Sequence, residues 1–163
     1  MISPRTSHQQ GHQRKFLVVI DETPECERAV LYAAQRAEHT GGMVVLLYVI
    51  SPAEFQHWLG VESIMRAEKE EEARATLSRF VDRARAVAKV DPETVIREGT
   101  RSEEIRQLID EDAEIAILVL AAGTGSDGPG PLVSSIASAS GGFHIPVTIV
   151  PGDLSDEEIA GLA

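Results

Sequence analysis

Residues 115–130 read IAILVLAAGTGSDGPG, and a segment of small and apolar residues follows from Pro131. The first half is a continuous apolar run, as a strand buried on both faces requires. The second half is rich in glycine, and the composition after it suits a helix. A strand that opens through glycines into a helix is a common way for a fold to hold phosphate. The glycines let the backbone curl so that several N–H groups face one anion, and the helix adds its positive N-terminal end. Against this, no Lys or Arg occurs after Arg106, whereas nine acidic residues do, Asp127 in the loop among them. A triphosphate here would depend on backbone N–H groups, on the hydroxyls of Thr124, Ser126, Ser134 and Ser135, and on a divalent cation.

Working outward, the same alternation recurs. Residues 15–21 form a first buried strand through Phe16, Leu17, Val18, Val19 and Ile20. Thr23-Pro24-Glu25 then predicts a helix start, with Thr23 as cap and Pro24 in the first turn. The inward stripe of that helix is Ala29, Val30, Ala33, Ala34 and Ala37, and Gly41-Gly42 ends it. Residues 43–50 are the second strand, closed by Ser51-Pro52. Residues 61–88 are a long helix with Ala73, Leu77, Phe80, Val81 and Ala84 inward and an interleaved charged face outward. Residues 94–98 read as a third, edge strand, and Ser102-Glu103-Glu104 as the cap of a helix running to Glu111. The fourth strand is followed by a helix over 131–140 and a fifth strand over 146–150. In the tail, Ser155 and Glu158 have the spacing of a capping box.

This order predicts an α/β fold: a single-domain open five-stranded parallel sheet, order 3-2-1-4-5, with helices on both faces. The domain spans 15–151, after a flexible polar arm (1–14) and before a tail (152–163) that forms a short helix. In such sheets ligands bind beyond the carboxyl ends of the strands, where strand order reverses. That places Asp21 and the glycine-rich loop side by side, although Asp21 also reads as a turn or cap residue.

The chain has 163 residues and a formal net charge of -11, enough length for one proper core and a surface that repels nucleic acids and anionic membranes alike. Apolar runs such as 43–50 are too short to span a bilayer, and residues 1–14 lack the apolar core of a signal peptide. The cytoplasm is the expected compartment, and a single cysteine, Cys26, fits it. Cys26 lies in a helix's first turn, where a thiol is acidified, but with no basic neighbour it reads as a small packed residue. No metal ligands are assigned.

Other patterns compete for the loop. Residues 123–128 satisfy G-x-G-x-x-G literally, yet they precede the last strand rather than follow the first, and no Walker lysine is present. Ser134, Ser135 and His144 lie near one another in sequence, but no G-x-S-x-G elbow accompanies them, so no catalytic residue is assigned. Phe55-Gln-His57-Trp58-Leu59 could close over a base or simply plug a loop.

Several segments together resemble the universal stress protein family. They are FLVVIDET (16–23) followed by Ala29, LLYVI (46–50), Gly99 with Glu103-Glu104-Ile105, and the passage from LVLA (118–121) through PVTIV (146–150). The nucleotide-binding branch of that family carries a glycine, two residues, a glycine, nine residues, and a glycine followed by Ser or Thr. The matching positions here are Ala121, Thr124 and Ser134-Ser135, so the spacing is kept while the glycines are replaced. The resemblance implies contacts to base and ribose from Asp21 and Val49, beside Thr23. Phosphate would fall to Ala121, Ala122, Gly123, Thr124 and Gly125, and to Ser134, Ser135 and Ile136. It further implies a homodimer made by antiparallel pairing of the fifth strand, Val147, Thr148, Ile149 and Val150.

The expected function is a stress-response regulatory or ligand-sensing module for ATP, AMP or adenosine, with magnesium where phosphates are bound. The alternatives are a ligand-free homodimer that contacts a protein partner, and a slow nucleotide hydrolase.

Overall fold

The computed structural model describes residues 2–52, 61–138 and 142–163. Its elements run β1 (Lys15–Ile20), α1 (Cys26–Thr40), β2 (Met43–Ile50), α2 (Glu62–Val87), β3 (Glu93–Glu98), α3 (Arg101–Glu111), β4 (Ile115–Ala122), α4 (Pro131–Ser138), β5 (Val147–Pro151) and α5 (Asp156–Leu162). They build one five-stranded sheet in the order β3-β2-β1-β4-β5 with every pair parallel, as expected.

Every residue of β1 is buried, because the strand has a helical layer on each side. Its alternate residues face opposite layers. Phe16, Val18 and Ile20 join Val44, Leu46 and Val119 under α1 and α2; the helices contribute Ala33, Ala37, Leu77 and Phe80. Leu17 and Val19 join Val45, Leu47, Leu118 and Leu120 under α3 and α4, where Ile105, Leu108, Ile109 and Leu132 pack. The alanine stripe of α1 lets that helix lie close to the sheet, and Gly41 in the left-handed region (φ 68) closes it.

Two expected caps are not formed. Thr23 does not cap α1: its hydroxyl donates to Asp21 Oδ1, residues 23–25 form a turn, and the helix begins at Cys26. Ser102 lies inside the first turn of α3, whose N-cap is Thr100.

The arm expected to be flexible lies against the α3–β4 connection. Ser3 donates to Asp110 Oδ1 through both N–H (3.0 Å) and Oγ (2.7 Å), and the Arg5 guanidinium donates to the carbonyls of Ile109, Asp112 and Ile115. Arg5 thus meets Ile109 O, one of the carbonyls that the end of α3 leaves without a helical partner, and ties the helix to the start of β4. The tail forms its helix with the expected cap, since Ser155 Oγ accepts the Glu158 N–H and donates to Glu158 Oε1. It packs on α1 through buried Ile159, and the α1 side chains of Arg36 and His39 reach Ala163 O. It does not cover β5, whose Ile149 is 44% exposed.

Candidate functional site

Strand order reverses between β1 and β4, so the connections after these strands lead to opposite sides and leave a crevice at their carboxyl ends. Asp21 follows β1 directly. Its Oδ1 accepts the Thr23 N–H at 2.9 Å and the Thr23 hydroxyl at 2.5 Å, an Asx turn that fixes the carboxylate at the crevice mouth.

Two clefts open there. One, of ≈ 500 Å³, is lined by Asp21, Glu22, Thr23, Tyr48, Val49, Ser51, Arg101 and Pro131. The other, of ≈ 580 Å³, is lined by Val49, Ser51, Gly99, Thr100, Arg101, Ser102, Leu132 and Ser135. Both volumes lie within the about 300–1,000 Å³ usual for small-ligand clefts. Val49, Ser51, Arg101 and Pro131 border both, so the two adjoin.

The glycine-rich loop borders a third hollow of ≈ 510 Å³ with Thr23, Glu25, Gly123, Thr124, Gly125, Asp127, Gly130 and Gly152. Several of its N–H groups are spent internally: Gly123 donates to Pro129 O, Gly128 to Gly125 O, and Ser134 to Gly130 O. Pro129 and Pro131 have no N–H to give. A carboxylate already occupies the bend. A Cβ built on Gly123 would stand 3.1 Å from Glu25 Oε1, one on Gly130 would stand 3.9 Å from the same oxygen, and one on Gly152 would stand 2.8 Å from Glu25 Cβ. A fourth space, of only ≈ 20 Å³, lies under the loop between Asp21, Cys26, Ala121 and Pro129.

The universal stress protein family model matches residues 13–151, from the end of the arm through β5. The chain belongs to the universal stress protein family. No curated protein matches it. Among solved structures, hypothetical protein MJ0577 aligns with 87% of this chain and 98% of its own at 20% identity and a TM-score of 0.70. The Archaeoglobus fulgidus universal stress protein in complex with dAMP aligns over 84% and 97% (21% identity, TM-score 0.58). An Arabidopsis thaliana universal stress protein family protein with AMP bound aligns over 88% and 94% (20% identity, TM-score 0.58).

In this universal stress protein the residues expected to form the site fall into groups. Asp21, Thr23 and Val49 meet in one cleft, and Val49 and Ser135 in the adjoining one. Gly123, Thr124 and Gly125 line the loop hollow, and Ala121 the small space beneath it. Ala122, Ser134 and Ile136 border none of these; Ile136 packs into the core layer under α3 and α4. Phe55, His57 and Trp58 lie outside the described residues. Among the described residues no group of three or more His, Cys, Asp or Glu is placed to hold a metal ion.

Cys26 is 3% exposed, and burial pushes its thiol up to about 12, with the Asp21 and Glu25 charges adding to that burial. It is a packing residue. Glu25, Arg101 and Gly152 were not singled out in the sequence, because only the fold gives them their places: Arg101 at β3's exit borders the two clefts, while Glu25 after β1 and Gly152 after β5 border the loop hollow.

Proposed function

We propose that this family member is a sensing module for an adenine nucleoside or nucleotide, bound at the β1/β4 switch point, and that it works as a homodimer through β5. The observation that carries the first part is that Asp21 and Val49, 28 positions apart in the chain, line one cleft at the carboxyl ends of β1 and β2. Asp21 is held in place there and would accept hydrogen bonds from ribose hydroxyls, while Val49 offers an apolar wall to a base. The dAMP and AMP complexes of proteins with this fold support the reading. ATP with magnesium belongs to it only if the loop hollow accepts phosphates.

Calorimetric titration with adenosine, AMP and ATP, each with and without magnesium, tests this. Heat of binding and a raised melting temperature are expected for at least one of them. Silence toward all three refutes the ligand reading and leaves an interaction module. The variant Asp21→Asn keeps an acceptor oxygen for the Thr23 turn; its melting temperature should stay within about 2 °C of wild type while affinity drops at least about tenfold.

Support for the dimer comes from the uncovered edge. Leu118 N–H donates to Pro146 O, so alternation along β5 turns the N–H groups of Val147 and Ile149 away from β4. An unpaired edge of this kind is a template for another strand. Ile149→Pro removes one outward donor without touching the β4 ladder, and sedimentation should then show monomers. An unchanged dimer would exclude β5 as the interface.

A further inference from the structure

The cleft between β2 and α3, lined by Arg101 and by no acid, and the loop hollow carry opposite charges, whereas the adjoining cleft sets Asp21 and Glu22 against the same arginine. Among the described residues that line these spaces, Arg101 is the one cation, and it borders both clefts. It is half-buried at the start of α3, and among the described residues its guanidinium has no hydrogen bond or ion pair. Six of the chain's twelve arginines, Arg28, Arg66, Arg74, Arg83, Arg85 and Arg97, hold acids, whereas Arg101 is left without a carboxylate among the described residues. Around it stand the hydroxyl-bearing residues Ser51, Thr100, Ser102 and Ser135.

The loop hollow is the reverse. Its lining includes Glu25 and Asp127 and no base, and the Glu25 carboxylate fills the bend between Gly123 and Gly130 with no hydrogen bond or ion pair among the described residues. A phosphate chain laid into this loop would meet a fixed negative charge where it needs donors.

We infer that the site takes an adenosine ligand bearing a single phosphate group, whose phosphate pairs with Arg101 in the cleft between β2 and α3, and that Glu25 turns di- and triphosphates away from the loop. This rests on the adenosine reading above and adds the class of ligand selected. A bidentate guanidinium contact supplies the attraction for one phosphate. A longer chain would exceed what one cation neutralises and be driven toward Glu25 and Asp127.

The test is calorimetric titration of the full chain with adenosine, AMP and ATP in the absence of divalent cations, for wild type, Arg101→Gln and Glu25→Gln. Wild type should bind AMP about tenfold tighter than adenosine or ATP. Arg101→Gln should bring AMP to within about twofold of adenosine, whereas Glu25→Gln should bring ATP to within about twofold of AMP. ATP bound as tightly as AMP by wild type, or equal weakening of adenosine and AMP by Arg101→Gln, overturns the inference while adenosine binding still stands. Failure of all three ligands overturns both. Should Arg101→Gln fold poorly, the salt dependence of wild-type AMP affinity decides: it should weaken several-fold between about 20 and 200 mM salt while adenosine holds steady, and equal slopes for the two overturn the role of Arg101.

Discussion

Asp21, Thr23, Glu25 and Cys26 lie within six positions, and each faces a different neighbour. Asp21 holds Thr23, Glu25 enters the glycine loop, and Cys26 drops into the core, where its Sγ lies 3.7 Å from Val19 O. With the thiol pushed up to about 12, almost no thiolate exists at neutral pH. Alkylation by iodoacetamide at pH 8, followed by mass spectrometry, should therefore leave Cys26 unmodified in the folded protein and label it fully in denaturant; rapid native labelling would contradict its burial. Gly152 is as closely fitted. A Cβ there would overlap Ala122 O and crowd Glu25 Cβ, so Gly152→Ala should cost about 1–3 kcal/mol in a denaturant titration. Thr23 shows where residue-level reading stops. Thr-Pro-Glu is a sound helix-start signal, but a Thr that follows Asp by two positions can serve the Asx turn instead, and here the turn wins. Glu25 and Arg101 left no local trace because their surroundings come from segments far away in the chain.

At the level of elements the sequence was far more legible, because each strand and stripe is specified by its own residues. The apolar runs of β1, β2 and β4, six to eight residues with Val and Ile among them, are too short for a buried helix to compete, and the five inward residues read for α2 are the five that the structure buries. The glycine loop was legible in position and not in action. Its glycines announced a bend, while the direction of its N–H groups depended on Pro129 and on Glu25 arriving from α1's side. The tail helix α5 permits a direct test. Ser155→Ala removes the acceptor for the Glu158 N–H and should cost about 0.5–2 kcal/mol, with Ser155→Asp restoring most of it. Hydrogen exchange should show the loss concentrated in α5 and in the facing turns of α1. A uniform loss of protection would mean that α5 is integral to the core rather than docked on it.

Across the whole molecule, stability against acid depends on carboxylates that bind α1, α2 and α5 together. Glu27 Oε1 accepts from Arg83 Nε at 2.6 Å, Asp156 Oδ1 from Arg28 Nη1 at 2.7 Å, and Arg83 also reaches Asp156 at 3.5 Å. The hydrogen bond from Arg83 holds Glu27 below its ordinary value of 4.5, and that from Arg28 holds Asp156 below 3.8. At the other end, Ser3 lowers Asp110, and the Gln13 N–H with Lys15 lowers Glu114. A carboxylate lowered by folding stabilises the native state fully above its unfolded value, and that contribution is lost as pH falls through the folded one. The melting temperature should therefore hold from neutral pH down to about 5 and fall steadily below about 4.5. Lys15 works in the opposite direction. Burial pulls its pKa down, but hydrogen bonds to Asp112 and Glu93 outweigh that and raise it above 10.5, so its contribution is complete below 10.5 and lost as pH rises beyond. Glu27→Gln separates the network from the rest. It should cost about 0.5–1 kcal/mol at pH 7, a partly exposed pair being well screened, and the difference from wild type should shrink as pH falls below about 4, where the native carboxyl protonates anyway. A difference that stays constant down to pH 2 would show that Glu27 acts through packing and not through its charge.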